Sequence, residues 1–325
     1  LPSSILCLTF TDSAAVNMQK RLEGLIGPEA YKVAIHTFHS FGREIMSQYP
    51  EYFYRGASYA PADEITQIRI LQEIFENLPH QNSLNSFHPE QGFTYLKDAK
   101  ARIGELKKGG LTPEEFRKIL DSNKSFLEKA APLIANIFEA RVDQSIIAKI
   151  DGLIMELQQI EVAELPVELP AKSLKNKIVM ALELALQEAK NGEKVSTKSI
   201  TKWKDEFTKK DLQKRTVLKD FERLQKSYDL AEVYDQYLKK LHQLGLYDYD
   251  DMLLEAVKAL QSQADLRFSI QEKYFYILVD EFQDTNGVQT RMLDLLVNAD
   301  VNEGRPNIMA VGDDDQAIYK FQGAN

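Results

Sequence analysis

The chain has 325 residues, 44% hydrophobic and 27% charged, with a net charge of −9. That is enough for one large core or two ordinary ones in a soluble globular protein. A single cysteine, Cys7, excludes an internal disulfide framework or a cysteine-held metal cluster and fits a reducing, cytoplasmic compartment. No apolar run approaches the roughly 20 residues of a membrane span, and no charged-then-apolar leader opens the chain, so no membrane partner is expected. A monomer is the default expectation. The first residue is Leu1 rather than Met, and the chain is expected to begin partway through a longer protein.

In chain order, short apolar runs predict strands at Ile5–Phe10, Val33–His36, Tyr274–Asp280 and Asn307–Val311. Continuous Ile, Leu and Val of this kind suit parallel strands buried on both faces. A helix is predicted over Ser13–Ile26, closed by Gly27-Pro28. A long insertion follows, from about Ala60 to Tyr228, and reads as helix throughout. In it Ile65, Ile68, Leu71, Phe75 and Leu78 recur at helical spacing. Gly109-Gly110 ends one helix, and Thr112-Pro113-Glu114-Glu115 has the form of a capping box opening the next. Pro166 and Pro170 bracket a break before helical periodicity resumes over 172–190. Between Lys190 and Lys226 the sequence holds twelve basic and six acidic residues, a positive island in an acidic chain. A solvated helix face with pairs such as Lys202–Glu206 accounts for it, and so does a local surface that meets a polyanion. The expected fold class is α/β, an open parallel sheet interrupted by an all-helical domain.

The third strand runs directly into acids: Ile277 to Asn286 reads ILVDEFQDTN. Ligands of open α/β sheets bind beyond the carboxyl ends of the strands. Asp280, Glu281 and Asp284 there would repel one another, and a hard divalent cation resolves the repulsion. Asp280 would then serve as a Mg²⁺ ligand, leaving Glu281 to orient and deprotonate water. The alternative is a solvated acidic turn in which Asp284 caps a helix. A second motif, Val311 to Ala324 (VGDDDQAIYKFQGA), also follows an apolar strand. In it Gln316 can donate to a phosphate, and Tyr319 and Phe321 offer faces for stacking bases, although two aromatics at this spacing are more often core.

Together DEFQDTN and VGDDDQAIYKFQGA resemble motifs II and III of superfamily 1A DNA helicases, the UvrD/Rep/PcrA group. Leu8 to Met18 (LTFTDSAAVNM) resembles motif Ia, and His36 to Phe41 (HTFHSF) resembles motif Ib. Asp248 to Met252 (DYDDM) resembles the DFDDL element that precedes motif II. The resemblance implies a P-loop NTPase (RecA-like) sheet, subdomain 1A, at 1–60 and 229–325, and a helical subdomain 1B at 61–228. It implies ATP and Mg²⁺ as cofactors and single-stranded and duplex DNA as partners. Asp280 would hold the metal, Glu281 would activate water, and Gln316 would sense the γ-phosphate. Phe10, Phe38, His39, Tyr319 and Phe321 would stack on or line single-stranded DNA, with Thr37 and Ser40 donating to its phosphates. Ordinary core packing is the competing role for Phe38 and Phe41, and a satisfied polar core residue the competing role for His39. Asp12-Ser13 stands where the family usually has Asn-Lys, Phe321 where Trp is common, and Gln322 where Arg is common.

No GxxxxGK[ST] phosphate loop occurs in the 325 residues, nor a second motor domain. The implied fold therefore lacks its first strand and phosphate loop. The expected function is the N-terminal part of an ATP-dependent helicase in DNA repair or replication, inactive as this chain alone. The competing readings are the motor of a RecB/AddA-like helicase-nuclease and a non-catalytic DNA-binding module.

Overall fold

A computed structural model describes residues 1–53, 60–139, 142–163, 173–191, 196–298 and 305–313. The chain forms two compact units. The first comprises Leu1–Pro79, Ser86–Thr112 and Val233–Asn325, and the second His80–Asn85 and Pro113–Glu232.

The first unit is mixed α/β. It opens with β1 (Ile5–Thr9), α1 (Asp12–Ile26), β2 (Ala34–Thr37) and α2 (Phe38–Gln48). The Thr11 hydroxyl accepts from the Ala14 N–H at 3.2 Å to start α1, and Gly27, at φ 66, ends it. Helices α3 (Glu64–Glu76) and α4 (Leu96–Lys108) follow. The second unit then holds α5 (Pro113–Phe138), α6 (Gln144–Gln159), α7 (Leu174–Lys190) and α8 (Lys198–Phe207). Helix α9 (Asp220–Leu244) begins in the second unit and ends in the first. The first unit closes with α10 (Tyr249–Ser262), α11 (Ala264–Lys273), β3 (Tyr276–Val279), α12 (Gly287–Val297) and β4 (Ile308–Ala310).

The four strands make one parallel sheet in the order β4-β3-β1-β2. Leu6 lies opposite Ala34 on one side and Ile277 on the other, and Leu278 opposite Met309. Side chains alternate across a strand, so Leu6, Leu8, Ile277 and Val279 share one face. That face is buried in a core with Phe38, Phe41, Leu253, Val257 and Met292 from α2, α10 and α12. Helix α1 packs against β1 and β2. The expectation of strands buried on both faces fails at β3 and β4: Tyr276, Leu278 and Met309 are 48%, 36% and 59% exposed. Among the described residues that side of the two strands is only partly covered.

The first two helices of the region expected as insertion belong to the α/β unit, not to a domain running over 61–228. Packing explains the difference. Ile70, Leu71, Ile74 and Phe75 of α3 are buried, and α4 lies against α3, α10 and α12. The end of α4 is fitted closely to the start of α12. Gly110 has φ +74, and a Cβ on it would stand 3.3 Å from Val288 Cα. A Cβ on Gly287 would stand 3.0 Å from the Gly109 carbonyl oxygen, and Arg291 donates to the Gly110 carbonyl at 2.6 Å.

The second unit has its own core, in which Phe138, Trp203 and Phe207 stack at centroid spacings of 5.1 Å. It is not helical throughout. Thr208–Lys210 pairs antiparallel with Thr216–Leu218, inside the basic island that periodicity assigned to helix. β-Branched Thr208, Thr216 and Val217 favour the ribbon. Its turn is closed by Asp211, whose carboxylate accepts from the Arg215 N–H at 2.8 Å, and by Lys214 at φ 61.

Candidate nucleotide and DNA site

The acids of the third strand emerge at the carboxyl end of β3. The Asp280 N–H donates to the Leu8 carbonyl at 2.9 Å, one step beyond the strand pairing, so Asp280 is held by the neighbouring strand. Glu281 then turns the chain sharply: it is left-handed, at φ 53 and ψ 43, a conformation a non-glycine residue adopts at a cost of about 1 kcal/mol or more. The short 3-10 turn Phe282–Asp284 follows. The Asp284 N–H donates to the Glu281 carbonyl at 2.9 Å, and the Thr285 hydroxyl to the Phe282 carbonyl at 2.7 Å. The Glu281 side chain is exposed and accepts from Gln283 Nε2 at 2.6 Å.

Asp284 does not cap α12. Asn286 does: its side chain accepts from the Gln289 N–H at 3.1 Å, and Gln289 accepts in return from the Asn286 N–H at 3.0 Å. Asp284 is buried, and among the described residues its Oδ1 has no hydrogen-bond partner; the same holds for Thr9 Oγ1 at the end of β1. Buried oxygens beside the carboxyl ends of two adjacent strands suit a polar ligand there.

Among the described residues no three His, Cys, Asp or Glu side chains gather to hold a metal by themselves. The donors at the strand end are carboxylate oxygens. They fit Mg²⁺, which takes one or two carboxylates and completes its shell with water and phosphate oxygens.

The residues expected at the DNA divide. Thr37 and Ser40 form a reciprocal cap at the start of α2: Thr37 Oγ1 accepts from the Ser40 N–H at 3.1 Å, and Ser40 Oγ from the Thr37 N–H at 2.8 Å. Thr37 Oγ1 also reaches Asp12 Oδ1 at 3.4 Å, joining the starts of α1 and α2. Phe38 is 2% exposed in the core, so its ring has no free face for a base and packing takes that role, as it does for Phe41. Phe10 is half-buried. His39 is half-buried too, its ring 5.9 Å from that of Tyr249 in an edge-on arrangement. Burial lowers the His39 pKa from its ordinary value, against the carboxylates of Asp250 and Asp12, which raise it. Gln316, Tyr319 and Phe321 lie outside the described residues, so their convergence with Glu281 is not placed. The backbone leading to them is: the Asp313 N–H donates to Gln283 Oε1 at 3.0 Å.

The chain matches the UvrD/REP helicase N-terminal domain over residues 1–177 and 161–325, which together span its whole length. It belongs to the UvrD/REP helicase family. It is 28% identical over 218 residues to the ATP-dependent DNA helicase Rep of Buchnera aphidicola from Acyrthosiphon pisum, covering 66% of this chain and 32% of that protein. Against the ATP-dependent DNA helicase UvrD1 of Mycobacterium tuberculosis it is 39% identical over 97 residues, 29% of this chain and 13% of the relative. Against Rep of Escherichia coli K12 it is 32% identical over 126 residues, 39% of this chain and 17% of the relative. The matched stretches thus cover about a third or less of these relatives.

In this UvrD/REP-family domain the DYDDM stretch holds a cluster that the sequence did not disclose. Lys107, at the end of α4, is 1% exposed and lies 2.5 Å from both Asp248 Oδ2 and Asp251 Oδ1. The Tyr237 hydroxyl donates to Asp248 Oδ2 at 3.2 Å, and Lys107 Nζ sits 4.8 Å from the Tyr237 ring centroid. Asp248 and Asp251 also cap α10 reciprocally. Burial pushes the Asp251 carboxyl up to about 7, whereas Lys107 and the capping N–H hold Asp248 below its ordinary value against the same burial cost. A buried lysine 141 residues away was not legible from the sequence. Among the described residues no helix is long and apolar enough to cross a membrane.

Proposed function

We propose that this chain is the N-terminal part of an ATP-dependent DNA helicase that moves along single-stranded DNA and unwinds duplex DNA using ATP hydrolysis. The observation that carries the reading is the placement of Asp280 and Glu281 at the carboxyl end of β3, an inner strand of a parallel sheet. The names of the relatives, each an ATP-dependent DNA helicase, support it. Asp280 would hold Mg²⁺, which on nucleotide supplies charge neutralisation at the phosphates. Glu281 would orient the attacking water and accept its proton. His39 and Phe10, in the stretches read as motifs Ib and Ia, would border the DNA strand. Thr37 and Ser40 fix the start of α2 and would donate from there to the DNA phosphates.

The sheet is read as RecA-like without its first strand and phosphate loop. In support, β4 pairs only with β3 among the described residues, and the sequence contains no GxxxxGK[ST]. The first unit corresponds to subdomain 1A and the second to the core of 1B.

The test is Glu281→Gln in the complete helicase. DNA-stimulated ATP hydrolysis should fall by about 10²–10⁴-fold while single-stranded DNA binding persists. Hydrolysis within a few fold of wild type would refute the assignment of the general base.

A further inference from the structure

We propose that Gln283 is a positioning residue for Glu281, tying its carboxylate to the backbone that follows β4. The proposal rests on the helicase reading of Glu281 and adds to it a residue with no role in that reading so far. Gln283 sits on the 3-10 turn, and its amide spans two partners. Nε2 donates to Glu281 Oε2 at 2.6 Å, and Oε1 accepts from the Asp313 N–H at 3.0 Å. The amide orientation is fixed by its partners, because the opposite flip would set oxygen against carboxylate and NH2 against N–H.

The main chain holds this bridge in a frame. The Val311 N–H donates to the Val279 carbonyl at 2.8 Å, and the Phe282 N–H to the Val311 carbonyl at 2.9 Å. Backbone pairing between the two segments thus continues past the ends of β3 and β4, and the Gln283 side chain carries it on to residue 313. Gly312 leaves the space for it: a Cβ there would lie 2.5 Å from Gln283 Oε1 and 3.1 Å from Gln283 N. Gln283 and Gly312 therefore fit each other as a pair.

The chemistry demands an amide of this length. Glutamate would set a like charge against Glu281, asparagine would fall short, and an apolar side chain would lose both bonds. The bridge fixes one oxygen of Glu281 and leaves Oε1 for water. Glu281 is exposed, and among the described residues Gln283 is the side chain that restrains it. Displacement of the backbone at Asp313 acts directly on the amide, and through it on the carboxylate. The segment carrying Gln316 begins right after that point. The bridge thus gives the second acidic motif a mechanical hold on the general base.

The experiment compares wild type, Gln283→Leu and Gly312→Ala in the complete helicase, measuring DNA-stimulated ATPase against ATP concentration. Both variants should lower kcat by about 10–100-fold with KM for ATP within about twofold. An active enzyme in which Gln283→Leu leaves kcat unchanged overturns the proposal. Absence of hydrolysis in wild type sinks the helicase reading instead. The contact itself is then judged on the 325-residue chain by hydrogen exchange at the Asp313 amide. Faster exchange in Gln283→Leu upholds the bridge, and equal exchange overturns it.

Discussion

Lys107 donates to Asp248 at 2.5 Å from a site that is 1% exposed, joining the end of α4 to the start of α10. Asp251 lies on the same ammonium, and the Tyr237 hydroxyl of α9 on the same Asp248 oxygen, so one buried cation gathers three helices. Removing it would strand two buried carboxylates. Lys107→Met should destabilise the chain by roughly 3–5 kcal/mol, read by urea unfolding. A loss under about 1 kcal/mol would mean that the cluster is solvated in solution.

Asp251 and Glu44, two of the perturbed acids of this unit, should act in opposite senses on stability against pH. Burial raises Asp251 to about 7 in the folded chain, against an ordinary value of 3.8, so the folded chain binds the extra proton and stability falls as pH rises between those values. Asp251→Asn should flatten that slope in thermal melts across the window. Persistence of the full slope would point to another group.

Glu44 works the other way. His36 Nε2 lies 2.7 Å from it, and that hydrogen bond, with help from Lys273 and Tyr274, lowers its carboxyl to about 2 despite burial. Its contribution is present above about 4.5 and disappears as pH falls through about 2. Glu44→Gln should cost about 1–2 kcal/mol at neutral pH after allowance for solvent, and less in acid. Equal cost at neutral pH and at a pH near 2 would contradict the linkage.

Phe38 and His39 are adjacent in sequence and should separate in experiment. Phe38→Ala empties a core position and should cost about 3–5 kcal/mol. His39→Ala should cost far less, and in the complete helicase should weaken single-stranded DNA binding several-fold, checked by fluorescence anisotropy at fixed salt. If His39→Ala destabilises as Phe38→Ala does and leaves DNA binding intact, His39 is a packing residue.

The 325-residue chain by itself should bind Mg·ATP weakly. Carboxylates meet phosphates mainly with repulsion when no phosphate loop supplies amides and a lysine. Isothermal titration giving micromolar affinity would contradict this and would point to a phosphate site elsewhere in the chain.

Sequence by itself determined the parts whose cause is local. β1, β3 and β4 fall within the apolar runs at 5–10, 274–280 and 307–311, β2 overlaps the run at 33–36, and α1 ends at Gly27 as its glycine required. The acids after β3 were legible because strand end and charge are neighbours in the chain. Tertiary structure decided what depends on distant partners. It buried Phe38 yet exposed Tyr276 and Leu278, since burial turns on which helices cover a face, not on the apolar run alone. It drew α3 and α4 into the α/β unit through their contacts, and it folded a basic stretch into a ribbon around a left-handed Lys214. Above all it brought Lys107 to Asp248 and Gln283 to Asp313, pairs separated by 141 and 30 residues. A hydrogen bond needs its two atoms within about 3 Å, and no periodicity in a sequence encodes that approach.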